Sequence, residues 1–147
     1  MRLFSRDHML GVVDARDQAD VFRALAEAAV RLGVAEDAAA IAGEYALRES
    51  EATTGFGGGV AIPHAKTDDV SEATLLFARL SGPVEWHAID GAPVDTVVSI
   101  LAPTSGADEH LRLLAKLARK LMHEDFVAIL KGGTEEETFE AIQEAIR

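Results

Sequence analysis

Two of the five histidines in this 147-residue chain stand where an imidazole could do chemistry. His64 ends the stretch TTGFGGGVAIPH (53–64), in which four glycines within five residues are followed by a short apolar run and Pro63. His110 falls in the first turn of a predicted helix. A neutral imidazole keeps a free ring-nitrogen lone pair at cellular pH and can accept a phosphoryl group directly. The phosphate it then carries calls for backbone N–H donors and a cation. Glycines at 55–59 would let backbone amides approach, and Arg48 would offer a planar fork to the oxygens. His110, close to a helix N-terminus, would lie in positive potential and could orient His64 by hydrogen bonding. The residue pattern alone leaves the glycines open as a tight turn, an anion cradle or a device that presents the imidazole. It equally leaves His64 open as a buried structural histidine. His8, His87 and His123 lie in a polar N-terminal segment, a turn after Trp86 and the head of a short helix, and read as surface or packing.

Other chemistries fit poorly. Two histidines 46 residues apart, with no i,i+4 histidine pair and no cysteine, are a weak zinc pattern. Ala65 rather than glycine precedes Lys66-Thr67, so the phosphate-loop spacing of nucleotide hydrolases is missing, and no G-x-S-x-G elbow occurs. A net charge of −11 without a basic stripe argues against nucleic acid. The acidic surface either keeps the protein soluble or steers a basic partner.

The elements that must hold these residues follow from periodicity. Residues 18–32 read as a helix with Asp17 as N-cap and Gly33 as its stop. A second helix, 36–49, puts Ile41, Tyr45 and Arg48 on one face, so the arginine ends the core-facing stripe just before the glycines. Residues 60–62 suit a short strand. Residues 73–80 and 93–103 suit strands buried on both faces, with turns at 82–86 and 90–93 and a hairpin signal at Asp90-Gly91. Ser105 to Asp108 has capping-box spacing and opens a helix over 108–122 whose apolar face is Leu111, Leu114, Ala115, Ala118 and Leu121. A shorter helix from 123 closes at Gly132-Gly133, and Thr134 to Glu137 caps a last helix to about 146. Helices bracketing a cluster of strands predict a single-domain α/β sandwich. With 48% hydrophobic and 27% charged residues, no apolar run of membrane-spanning length and no signal-peptide core, a cytoplasmic location is expected.

The stretch TTGFGGGVAIPHAKTDDV, with YALRESEATTG before it and VEWHAIDGAPVDTVVSILAP and DEHLRLLAKLARKL after it, resembles enzyme IIA of the bacterial phosphoenolpyruvate-dependent sugar phosphotransferase system. The likeness is to its type-2 branch, which includes fructose, mannitol and nitrogen-regulatory members, and covers nearly the whole chain. It implies a small mixed parallel and antiparallel sheet flanked by helices on both sides. It implies a phosphotransferase with a phosphohistidine intermediate, His64 being the acceptor through Nε2. His110 matches the second active-site histidine and Arg48 the phosphate-facing arginine. Thr54 matches a hydroxyl-bearing loop position, with Gly58 and Gly59 as phosphate-binding neighbours. The implied donor is phospho-HPr and the implied acceptor a cysteine of enzyme IIB, working with membrane subunit IIC. No metal, ATP or organic cofactor is implied. HAKT after Pro63 is closer to fructose-type loops than to the HGK of nitrogen-regulatory members. Regulation by phosphorylation state, or a phosphorylatable binding module, remain the alternatives. Phe56 is bulkier than the residue many relatives carry there.

Overall fold

Alternation along two long apolar strands decides the layering. In a computed structural model, which describes residues 3–147, the elements run β1 (Met9–Val13), α1 (Gln18–Arg31), α2 (Ala38–Glu51), β2 (Gly55–Gly57), β3 (Val60–Ala61), β4 (His64–Lys66), β5 (Thr74–Val84), β6 (Val94–Ala102), α3 (Ala107–Leu121), α4 (Glu124–Gly132) and α5 (Glu135–Ala145). Successive strand side chains point to opposite faces. Leu76, Leu80, Val97 and Leu101 therefore meet α1 and α2 on one side. Leu75, Phe77, Val98 and Ile100 meet α3, α4 and α5 on the other. The result is the expected α/β sandwich with a helical layer on each face.

The sheet is mixed, in the order β1-β5-β6-β3-β2. β5 and β6 are antiparallel, whereas β1 runs parallel to β5. β3 and β4 lie one after the other along the far edge of β6, both parallel to it. Among the described residues β4 pairs with β6 alone, so it is an edge at the point where α2 and α3 approach from opposite faces. No helix among the described residues is long and apolar enough to cross a membrane.

Side-chain capping fixes the starts of α1, α2 and α5. The Asp17 side chain accepts from the Asp20 amide at 2.8 Å, and Asp37 accepts from Ala40, starting the second helix slightly later than its periodicity predicts. Thr134 and Glu137 form the reciprocal capping box of α5. The expected box at Ser105 does not form. A 3-10 turn over Thr104–Gly106 runs straight into α3, making Gly106 the N-cap and leaving Ser105 one residue too early to reach the N3 amide. The buried face of α3 also differs from the predicted one: His110, Leu113, Leu117 and Leu121 face the sheet and Leu111 is exposed. The 82–86 segment is no turn, since β5 continues through Gly82-Pro83 to Val84 with a break in register. β5 and β6 are joined by residues 85–93, so Asp90-Gly91 bends a loop rather than a tight hairpin.

Candidate functional site

His64 opens β4, opposite Ile100 of β6, and is half-buried. Its Nδ1 lies 2.9 Å from the Ile62 carbonyl oxygen and its Nε2 lies 3.0 Å from Arg48 Nε. A carbonyl oxygen only accepts and an arginine N–H only donates. The ring is therefore the Nδ1–H tautomer, with the Nε2 lone pair turned toward the guanidinium. Burial, the largest influence, holds the His64 pKa below its ordinary value; Arg48 and Lys66 push the same way, against the opposing pull of the Ile62 carbonyl and Glu49. The imidazole is neutral at cellular pH.

Arg48 comes from the last turn of α2, on the face that buries Ile41 and Tyr45. That helix is pinned to the sheet by Tyr45, whose hydroxyl meets Ser99 Oγ at 2.6 Å and whose ring stacks on Phe22 at 5.4 Å. A second Arg48 N–H, from Nη1, donates to the Ala52 carbonyl at 2.9 Å. His110 arrives from the first turn of α3. Its ring centroid is 5.2 Å from that of His64, and only 2% of its surface is exposed. Its Nδ1 is buried with no hydrogen-bond partner among the described residues. Burial first, then the positive charge that His64 would carry and those of Lys66 and Arg48, pushes the His110 pKa down to about 4. Buried polar atoms are nearly always paired, by protein or by ordered water, and this nitrogen belongs to a ring beside that of His64.

These residues line an open cavity of about 530 Å³, with Leu47 and Leu111 exposed at its rim. Lys66 lines it too. Sequence reasoning missed Lys66 because residues 64–66 were not recognised as a strand; the period of two would have put it on the face of His64. A larger groove, about 800 Å³, lies between α1 and α2, but half of its lining is alanine and glycine and it offers no imidazole.

The other predicted residues are placed elsewhere. Gly58 and Gly59 form the turn between β2 and β3 and do not line the His64 cavity. The Gly58 amide donates to Asp90 Oδ2 at 2.9 Å, and its carbonyl accepts from Lys131 Nζ at 2.8 Å. Gly59 accepts from the amides of Asp95 and Thr96. Thr54 is buried, its hydroxyl donating to Glu49 Oε1 and accepting from Trp86 Nε1. The structure thus brings His64, Arg48 and His110 together and commits Thr54, Gly58 and Gly59 to protein contacts. The remaining histidines behave as packing or surface: His8 is buried with Nδ1 2.9 Å from the Leu75 carbonyl, His87 is exposed beside Glu85, and His123 is exposed at the start of α4.

Comparison with known proteins identifies the family. The family model described as phosphoenolpyruvate-dependent sugar phosphotransferase system, EIIA 2, matches residues 2–145. The fructose-specific EIIA component of Haloferax volcanii is 45% identical over 69% of this chain, and the match spans 66% of that relative, just under two thirds of its length. The fructose-like EIIA component of Escherichia coli is 31% identical over 86% of this chain and 85% of its own. The crystal structure of nitrogen regulatory protein IIA-Ntr from Neisseria meningitidis superposes with a TM-score of 0.84 at 29% identity, covering 95% of this chain and 96% of that one. The shared frame is a mixed sheet between helical layers. The chain belongs to the type-2 EIIA family of the phosphoenolpyruvate-dependent sugar phosphotransferase system.

Proposed function

We propose that this protein is a phosphocarrier: His64 Nε2 takes a phosphoryl group from the phosphohistidine of HPr and hands it to a cysteine of enzyme IIB, in the cytoplasm, serving uptake of a fructose-type sugar with membrane subunit IIC. The observation that carries the reading is the fixed tautomer. With Nδ1–H committed to the Ile62 carbonyl, the lone pair that can attack phosphorus sits on Nε2. In the transfer the Nε2–P bond forms as the donor's N–P bond breaks, and the donor imidazole leaves with its electron pair. The Nδ1 proton stays on the ring, donated to the Ile62 carbonyl, which steadies the charge that the phosphorylated ring acquires. Arg48, now on Nε2, moves its N–H groups onto the phosphoryl oxygens, and Lys66 adds a second cation. His110 is neutral and offers a ring nitrogen to the phosphate. A loose phosphoryl transition state needs positioning and charge stabilisation rather than further covalent help.

The rim supports docking of a protein donor. Leu47 and Leu111 are 58% and 61% exposed on either side of the cavity, and Glu44 and Glu51 stand beside them. Apolar contacts within an acidic border suit a partner with a basic face around its own phosphohistidine. Fructose is favoured by the HAKT continuation and by the two fructose-type relatives. The likeness to IIA-Ntr favours a second reading, in which the phosphorylation state signals to other proteins. Labelled phosphate from phospho-HPr tests the proposal. Wild-type protein should take up acid-labile label and His64→Ala none; label retained by that variant would remove His64 as the acceptor. Onward transfer to a fructose-type IIB separates transport from regulation.

A further inference from the structure

Both nitrogens of His64 are held by groups that lead back to one contact. On one side the Ile62 carbonyl accepts from Nδ1, and the Ile62 amide donates to the Thr54 carbonyl at 2.9 Å. On the other side Nε2 accepts from Arg48, which precedes Glu49 in the last turn of α2. Glu49 closes the circuit, because its carboxylate accepts from the Thr54 amide at 2.7 Å and from the Thr54 hydroxyl. Between Glu49 and Thr54 lies Ala52, the residue whose carbonyl holds the second Arg48 N–H. Thr54 is itself fixed from behind. Buried Trp86 donates to its hydroxyl, and Gly55 lies so close to Ala88 that a Cβ there would strike its backbone.

This contact stands where the chain would otherwise be loose. α2 ends at Glu51, Ala52 is extended, and β2 does not begin until Gly55. The last carbonyls of a helix lack intrahelical partners and such ends fray. A carboxylate gripping both an amide and a hydroxyl across this bend sets the distance between the helix that carries Arg48 and the link from β3 to β4 that carries Ile62. Hydrogen bonds to a charged group are also the stronger kind.

We infer that Glu49 is a positioning residue for phosphoryl transfer: through Thr54 it holds Arg48 and the Ile62 carbonyl on opposite nitrogens of His64, so that the ring stays in the Nδ1–H tautomer with Nε2 facing the cavity. The kinetic part rests on His64 being the phosphoacceptor; the tautomer part does not. Neither Glu49 nor Thr54 lines the cavity, so neither touches the reacting atoms. A plain structural brace would change thermal stability alone, whereas a positioning residue changes the state of a ring it does not contact.

The test combines nitrogen-15 NMR of the histidine rings in the unphosphorylated full chain with rates of phosphate uptake from phospho-HPr. Wild type should show the His64 Nδ1–H tautomer. Glu49→Ala and Thr54→Val should show mixed tautomers and a fall in kcat of about 10- to 100-fold, the cost of slight misplacement, with KM for phospho-HPr little changed. Thr54→Ser, which keeps the hydroxyl, should restore both readouts. Glu49→Gln keeps the shape and part of the hydrogen bonding and should fall between. A folded Glu49→Ala or Thr54→Val with the wild-type tautomer and rate would overturn the inference, as would a Thr54→Ser as impaired as Thr54→Val. If Glu49→Ala does not fold, Thr54→Val and Glu49→Gln decide. If wild type takes no phosphate, the phosphocarrier reading fails while the tautomer comparison still settles what Glu49 does.

Discussion

The turn at Gly57–Gly59 and the cavity at His64 are a few residues apart in the chain, joined by β3, and they treat polar groups in opposite ways. At the turn the groups are taken up: Gly58 donates to Asp90 and accepts from Lys131, Gly59 accepts from two amides, and Lys131 lies 3.4 Å from Asp95. In the cavity a buried ring nitrogen of His110 has no partner among the described residues, and the arginine rests on a lone pair it can release. A paired polar cluster is scaffold, because each group already has what water would have given it. An unpaired one holds binding capacity in reserve. The family resemblance implied phosphate-binding glycines at the turn; in the free protein those groups are already paired and the cavity's are not.

The comparison predicts that changes at the cavity strike transfer and changes at the turn strike stability. After loss of His64 itself, the largest effect is expected at Arg48. Arg48→Lys keeps a charge, but a single ammonium on a flexible stem cannot hold both His64 Nε2 and the Ala52 carbonyl. Phosphate uptake from phospho-HPr should fall about 100-fold, as when one donor to developing charge is removed. A rate within twofold of wild type, measured by quench-flow, would mean the guanidinium fork plays no part.

His110→Gln should have a smaller kinetic effect, roughly tenfold, on the scale of one hydrogen bond. It carries a sharper pH signature. The His110 pKa is pushed from 6.5 to about 4 in the folded protein, so the unfolded chain binds this proton more readily. The stability gained by keeping the ring neutral is whole above pH 6.5 and is lost as pH falls toward 4. His64 is shifted in the same direction and adds to the slope. Thermal melts between pH 7 and pH 4.5 should therefore show Tm falling through this window, less steeply in His110→Gln. Parallel slopes in the two proteins would show that the ring is protonated in the folded state after all.

How far the sequence revealed this arrangement depended on what kind of signal each residue carried. Arg48 was legible because helical period tied it to Ile41 and Tyr45, both buried, and α2 is long enough for period to speak. The layers were legible from the apolar runs of β5 and β6. The pairing of Glu49 with Thr54 was not, since one lies in the last turn of α2 and the other beyond its end, and only the bend brings them together. β1 and β4 escaped notice because a strand of three to five residues at a sheet edge has too few positions for alternation to show. The face of α3 was misassigned because a polar residue, His110, takes an inward position while Leu111 points out, a reversal of the usual pattern at the site where partners would dock. The hydrogen bonds of the glycines were not legible either. Composition shows that a backbone is free to turn, and it says nothing of which groups the turn will meet.

The smallest effect on transfer is expected at the turn. Gly58 has φ +66, with nothing within 4 Å of where a Cβ would stand, so Gly58→Ala meets backbone strain without a clash. The left-handed conformation costs an alanine roughly 1–2 kcal/mol, which in a chain of this size lowers Tm by several degrees. Gly58→Asn should lose less, since asparagine tolerates that region. Neither variant alters Arg48, His64 or His110, and phosphate uptake below the melting range should match wild type. If folded Gly58→Ala instead lost tenfold or more in transfer with its Tm unchanged, the amides of the turn would be reaching the phosphoryl group in the complex with HPr. The division between scaffold and site would then hold only for the free protein.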